Sequence, residues 1–459
     1  LMTGRSPGNH GVFDFIRVDR TNSTPTYTLT TSADLKVPTI WQIASEAGMR
    51  VTTLNYPTMF PAKPIDGVVI PGYVPWSYLG RAIYPRETYK MLKEEGVFKA
   101  REMSTDWQHE RKAVQGLAEN DLQDWVQFHI TRERRWFEIT LKLMERVPSE
   151  LTSVLFDGVD RIQHLCYHLI DPATRGDYTS QSLVRARDLA LQYFRDVDNY
   201  IAQMVAKAGD QASVIIASDH GFTRSGARIF YANSWLESLG LLKWKPDVPF
   251  DNQGRVALDE NTEATTLIDW GPTKAYALSS SSNAIFIRVA SENDPDGVTP
   301  EQYEAFRDDL ISKLKSLVDT ASGKPVVRDV FTREMAFPGT ESARAPDLTL
   351  QMADYSFLSV LRADEPVKDR KIPYATHHPD GVIIASGPAI KSSGRVEPMR
   401  IVDVAPTVLY SLGLDIPSSF EGRVGTDLFV PAYVATHVPE VSDNAGKESG
   451  TDSSETLTG

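Results

Sequence analysis

The sequence predicts an α/β fold: a mostly parallel central sheet flanked by helices, with inserted subdomains. Three observations predict it. Short β-branched apolar runs alternate with amphipathic helical stretches along the 459 residues, the pattern of helices laid on a parallel sheet. Hydrophobic residues make up 41% and charged residues 24%, ordinary globular proportions with ample apolar surface for a core. Several apolar runs have Asp or His at their ends, and open α/β sheets bind ligands outside the carboxyl ends of their strands.

The elements follow in order. Strands are expected at 50–55, 152–156, 212–218, 347–351 and 381–385, each a run rich in Val, Ile, Leu or Thr. Helices are expected at 39–47, 122–146, 183–207, 300–318 and 401–412. The last is well punctuated: Asp403 can cap it, Pro406 suits a first turn, Gly413 follows its end and Pro417 blocks continuation. Two segments read as insertions in one domain spanning 1–436. The first, about 66–120, carries Pro-Gly turns and the aromatics Tyr73, Trp76, Tyr78, Tyr84 and Tyr89, which can line a cleft or pack on the surface. The second, about 236–345, holds strands of its own at 274–278 and 283–289. Residues 437–459 are rich in Ser, Thr, Asp, Glu and Gly, with few apolar groups to offset ordering entropy, and read as a disordered acidic tail.

Charge and cysteine content exclude several classes. Lys and Arg number 48 against 61 Asp and Glu, a net charge of −13 that repels polyanions and argues against coating nucleic acid. A small phosphate substrate stays compatible with that field, because a bound metal inverts it locally. The single cysteine, Cys166, excludes an intramolecular disulfide framework and a Cys-rich zinc ribbon. No apolar window is long enough for a membrane-spanning helix. The chain opens at Leu1 inside what reads as a motif, so the expectation is that the N-terminus lies upstream, with any signal peptide. Compartment is therefore not legible, cytoplasm and periplasm both staying open, and oligomeric state is not legible either.

Three segments carry candidate chemistry. In Leu155-Phe-Asp-Gly-Val-Asp160-Arg-Ile-Gln-His164 a strand leads into helical sequence. Asp160 and His164 are four apart, so on a helical turn both project to one side and can share a divalent ion. Alone, the pair reads equally as a cap and a packed imidazole. His168, one turn further, suits a supporting or packing role. In Ser213-Val-Ile-Ile-Ala-Ser-Asp219-His220-Gly221-Phe222 a continuous apolar run, expected as a buried parallel strand, ends in an Asp-His pair and a turn-permitting glycine. In Ala375-Thr-His377-His378-Pro379 two imidazoles precede another apolar run. Asp and His ligands without Cys suit Zn²⁺ or Mn²⁺ at a hydrolytic site, and two such metals can hold the attacking and leaving oxygens of a phosphoryl transfer.

Taken together and in order, these motifs resemble the type I phosphodiesterase/nucleotide pyrophosphatase family of the alkaline phosphatase superfamily. The resemblance runs from Met2 to about Leu428. It includes Met2-Thr-Gly-Arg-Ser-Pro-Gly-Asn-His10-Gly, Asp160 with His164, Ser218-Asp219-His220-Gly221, Thr376-His377 with Gly387-Pro388, Ile401-Val-Asp-Val-Ala-Pro-Thr407, and Glu421-Gly-Arg423. It implies an alkaline-phosphatase-like core, with two divalent ions, zinc before manganese. Asp160, His164 and His377 would hold one ion and Asp219 and His220 the second, His377 being preferred to His378. It further implies phosphate-ester hydrolysis, of diesters above all, through a Thr or Ser phosphoenzyme. Two departures matter. The family's nucleophile precedes the position of Thr3-Gly4 by fewer than ten residues, and its remaining Asp ligand lies further upstream; neither falls in this sequence, and Thr3 is not the nucleophile. Phe15 stands where nucleotide pyrophosphatases carry a phosphate-contacting Asn, which argues against nucleotide diesters. Sulfatase and phosphoglycerate-mutase-like chemistry are the superfamily alternatives, and a non-catalytic metal- or phosphate-binding protein is the alternative from another class.

Overall fold

The chemistry at element ends explains where the chain turns. α1 (Ile40–Glu46) starts at a capping box in which Thr39 and Gln42 satisfy each other's free amides. Gly48, in the left-handed region at φ 84°, then turns the chain into β1 (Val51–Leu54), buried along its length. β1 pairs in parallel with β2 (Gly67–Ile70) on one side. After the 28-residue α2 (Glu119–Arg146), β3 (Leu151–Val154) pairs in parallel on the other, giving the order β2-β1-β3. The computed structural model describes residues 1–22, 24–105, 110, 117–173, 176, 180–246, 264–279, 281–355, 357–370, 374–392 and 394–443.

The pleat divides the core. Leu54, Val68 and Ile70 pack against Trp136, Ile139 and Leu143 of α2. Val51 and Val69 face the opposite way, toward Trp41 and Ile43 of α1. α3 (Gly158–Ile170) and α4 (Gln181–Ala208) complete a helical layer with α2, closed by Val126, Ile162, Leu169 and Tyr193. Among the described residues no helix is long and apolar enough to cross a membrane.

β4 (Val214–Ala217) and β5 (Gly221–Arg224) follow α4. Beyond them an antiparallel sheet is built from β6 (Ala275–Tyr276), β7 (Ala284–Ile287), β8 (Val327–Thr332) and β9 (Leu348–Met352), in the order β8-β9-β7-β6. Its own core includes Tyr276, Ile287, Val330 and Leu350, with Leu310 and Leu314 of α5 (Tyr303–Lys315). The segment 236–345 thus closes on a strand that follows it, and β2, inside the segment 66–120, belongs to the parallel sheet. Residues 106–109, 111–116 and 247–263 of those segments lie outside the described residues.

β10 (Ala375–His378) pairs antiparallel with β5, and β11 (Ile383–Ser386) antiparallel with β4. The run 213–217 departs from expectation. β4 is half-buried, and its partner among the described residues is the antiparallel β11. Its other edge borders a cavity, which is why an apolar strand is left partly open. The helix expected at 401–412 forms as a 3₁₀ turn (Ile401–Asp403) leading into α6 (Val404–Ser411), which packs with α1. Asp403 sits at the cap, but its carboxylate accepts from the amides of Arg400 (2.8 Å) and Arg423 (2.9 Å), tying the 421–423 loop to the helix start.

β12 (Ile416–Pro417) pairs in parallel with β13 (Val441–Ser442), and the His437 ring stacks on Tyr433 at 4.0 Å. The first residues of the acidic segment therefore contact the core, while 444–459 lie outside the described residues. Deleting 444–459, which offers few apolar groups, is expected to leave Tm unchanged within ~1 °C. Deleting 437–459 is expected to lower it by ~1–3 °C, as losing about 1 kcal/mol does in a large domain. Equal melting of both truncations in a calorimeter would show that β13 adds nothing.

Candidate metal centre

Asp160 and His164 sit in the first two turns of α3, where the four-residue spacing turns both toward β10. His377 arrives from β10, whose pairing with β5 sets it opposite Phe222. His377 Nε2 lies 3.1 Å from Asp160 Oδ1 and 3.1 Å from His164 Nε2, with 3.5 Å between the other two. One ligand atom from each of the three residues lies within 4.8 Å of the others, and among the described residues no other group of three or more His, Cys, Asp or Glu converges in this way.

The donor set fits a divalent cation. His164 Nδ1 is 2.8 Å from the Ala375 carbonyl, which can only accept, so this nitrogen carries the proton and Nε2 presents its lone pair. That lone pair and the Asp160 carboxylate then compete for the one proton His377 Nε2 can offer. Three electron-rich atoms facing one point is an arrangement that a cation satisfies better than a proton does. Burial pushes the His164 imidazole down, toward the neutral form a metal needs. Burial alone would raise Asp160, but the hydrogen bond from His377 and the adjoining imidazoles hold its carboxyl below the usual range.

Asp219 and His220 follow β4 at its carboxyl end. His220 Nε2 is 3.7 Å from Asp219 Oδ1 and 3.7 Å from Asp160 Oδ1, and its ring stacks on His377 at 3.7 Å. All five candidate ligands are thus neighbours, with Asp160 between the two groups. His378 faces away: its Nδ1 accepts from the Asp380 amide at 3.1 Å. His168 is half-buried on α3 outside the trio, its imidazole pushed down by burial. Gly221 was expected for a tight turn. Instead it starts β5, where a Cβ would lie 2.0 Å from the Asp380 carbonyl, so close backbone approach requires it. Thr3 is buried, with its hydroxyl 3.3 Å from the Arg5 amide.

Sequence reasoning missed the charged cluster under the turn that carries Asp160. Asp157, buried, pairs with the Arg132 guanidinium of α2 and with Arg161 Nε at 3.1 Å, and accepts from Asn55 Nδ2 at 3.1 Å. Burial would raise Asp157, but the two guanidiniums hold it well below the carboxylate range. Glu133 beside it is pushed up by burial and by Asp157, and it accepts from the Gly158 amide (3.1 Å) and the Tyr193 hydroxyl (2.7 Å). The signal was present as charged residues on the apolar face of a long helix, but their partner lies 25 residues away. Tyr374, stacked on His164 at 5.0 Å, was missed for the same reason.

The centre opens into a cavity of about 2450 Å³. Of Tyr73, Trp76, Tyr78, Tyr84 and Tyr89, Tyr73 alone lines it; Phe15 stacks on Tyr73 at 5.4 Å, 44% exposed. Trp76 lies instead under Arg101, and Tyr89 packs edge-on to Phe98.

No curated protein matches the chain in sequence. Among solved structures it is similar to phosphonoacetate hydrolase from Sinorhizobium meliloti 1021 in complex with phosphonoformate (13% identity, 90% of this chain and 82% of that one, TM-score 0.46). It is also similar to human ectonucleotide pyrophosphatase/phosphodiesterase 5 (12% identity, 93% and 86%, TM-score 0.48) and to its murine counterpart (12%, 94% and 86%, 0.48). The sequence model of the type I phosphodiesterase / nucleotide pyrophosphatase family matches residues 1–380, and the chain belongs to that family of phosphoryl hydrolases.

Proposed function

We propose that this protein is a metal-dependent hydrolase of phosphate esters, with diesters as preferred substrates. The observation that carries the reading is the convergence of Asp160, His164 and His377 within a chain of this family. These three would hold one divalent ion, and Asp219 and His220 would contribute to a second. One carboxylate and two imidazoles suit zinc, with manganese the second choice. When bound, such ions lower the pKa of an attacking hydroxyl and offset charge on the phosphoryl oxygens. The chain's own residues hold that chemistry in place: Ala375 fixes the tautomer of His164, and the Asp157 cluster fixes the turn before Asp160. The resemblance puts the attacking Thr or Ser ahead of Thr3-Gly4, and that placement is part of the proposal. Phe15 in the family's Asn position, stacked on Tyr73 in the cavity, favours non-nucleotide diesters.

The test is hydrolysis of bis-p-nitrophenyl phosphate, p-nitrophenyl phosphate and p-nitrophenyl sulfate by a form of the protein that includes the proposed nucleophile. The diester is expected to turn over fastest, and only with zinc or manganese restored after chelation. Faster sulfate turnover, or undiminished rates after complete chelation, would overturn the reading.

A further inference from the structure

Three non-glycine residues in the 51–73 stretch occupy the left-handed region: Asn55 (φ 66°), Thr58 (φ 59°) and Tyr73 (φ 60°). Asn55 follows β1 and Tyr73 follows β2. Both therefore stand at the carboxyl ends of parallel strands, where open α/β sheets bind ligands. A left-handed backbone is uncommon for any side chain and costly for a bulky ring. It persists at Tyr73 because the preceding turn is clamped. The Gly72 amide donates to the Tyr56 carbonyl at 2.9 Å, and a Cβ on Gly72 would lie 2.2 Å from the Asn55 carbonyl. Backbone held firmly in a sparsely populated conformation clusters at ligand sites, where it aims a side chain.

Tyr73 is aimed at the cavity. Pro71, Gly72 and Val74 beside it are buried, whereas Tyr73 is half-buried and lines the cavity wall. Two contacts fix its ring. Phe15 stacks on it with 10° between the planes, and the Arg161 guanidinium stands over it at 5.4 Å. Arg161 adjoins Asp160 in α3 and is itself pinned by Asp157 at 3.1 Å and by Glu110. The ring thus leans on the same helical turn that carries the first candidate ligand.

Two other buried phenols show what a tyrosine beside a carboxylate ordinarily does. Tyr193 donates to Glu133 at 2.7 Å, and Tyr303 to Asp347 at 2.6 Å. Tyr73 departs from that pattern. Its hydroxyl lies in the field of the Asp157 and Asp160 carboxylates, yet it has no hydrogen-bond partner among the described residues. Burial first, and then those two carboxylates, push the phenol far above its ordinary pKa. It is therefore a neutral donor that keeps its proton at working pH. A fixed donor with an open hydrogen, beside Asp160 and on the cavity wall, is matched by an acceptor arriving from outside.

We propose that Tyr73 is a substrate-contacting residue, its hydroxyl donating a hydrogen bond to a non-bridging phosphoryl oxygen of an ester held at the metal centre. No proton changes owner. The O–H bond stays intact, and the phosphoryl oxygen meets a donor already in place as its charge grows, which is where such a bond lowers the barrier. The assignment rests on the reading of the chain as a phosphate-ester hydrolase.

Tyr73→Phe tests it, because this change deletes the hydroxyl and keeps both the ring and its stack on Phe15. The protein used is a form that includes the proposed nucleophile. For bis-p-nitrophenyl phosphate, kcat is expected to fall about 10²-fold, the order found on removing one such donor, with KM changing less than about threefold. Zinc per chain and Tm are expected to match the parent. Inorganic phosphate, titrated into the zinc-loaded protein in a calorimeter, is expected to bind about tenfold more weakly, as for one lost hydrogen bond to a charged group. Parental kcat and phosphate affinity in Tyr73→Phe overturn the proposal and leave the hydrolase reading intact. Loss of zinc from that variant overturns it too, since the hydroxyl then supports the centre rather than the substrate. A parent that neither hydrolyses the diester nor binds phosphate fails the hydrolase reading itself, and the proposal falls with it.

Discussion

His377→Ala is expected to strip zinc from the chain, while His378→Ala leaves its zinc content unchanged. The two residues are adjacent and chemically identical, so only position separates them. His377 Nε2 stands 3.1 Å from both other members of the trio, whereas His378 accepts from a loop amide. Removing an imidazole from a three-ligand set leaves two, and two protein ligands seldom hold a catalytic zinc. The affinity loss for His377→Ala should exceed the roughly 10–100-fold that mutation of a ligand's supporting partner brings. Zinc per chain by metal analysis, with a competing chelator to set the affinity, reads this directly without any assay of turnover. Equal losses for the two variants, or a larger loss for His378→Ala, would remove His377 from the centre.

The second large effect is expected at Arg132, which touches no candidate ligand. Arg132→Met leaves buried Glu133 without its cation and Asp157 with Arg161 alone; the side chains of Arg132, Asp157 and Glu133 are at most 3% exposed. Breaking a buried ion pair from one side costs about 3–5 kcal/mol, because a charge is stranded away from water. Melting temperature should fall by several degrees. Zinc affinity should fall with it, because Asp157 precedes Asp160 by one helical turn and the strand-to-helix turn loses its brace. Arg132→Met combined with Asp157→Asn and Glu133→Gln, which removes the stranded charge, is expected to recover part of the loss. A single variant as stable as the parent would mean that the cluster is solvated.

What was legible in the sequence was whatever local pattern controls. The α/β alternation, the long helices, and the Asp160–His164 spacing all depend on neighbours within a few residues. The convergence of His377 with that pair depends on β5 and β10 pairing across some 150 residues, and no periodicity in either strand encodes the partner. The same holds for Arg132 and Asp157: a charged residue on an apolar helix face announces that a partner exists but not where. β4 shows the reverse case. Its composition asks for burial on both sides, and the described fold supplies one paired edge.

The Ala375 carbonyl holds His164, and two residues further along the same strand stands His377. One imidazole is therefore hung from the backbone that carries the other. A slip of β10 against α3 cannot move His377 without pulling on His164, so the two nitrogens keep their mutual separation while the strand shifts. Coordination geometry and strand registry become a single mechanical variable. A metal at this point would act as a rivet, locking the β5–β10 ribbon to the helical layer, and stiffness at the centre would spread along the ribbon.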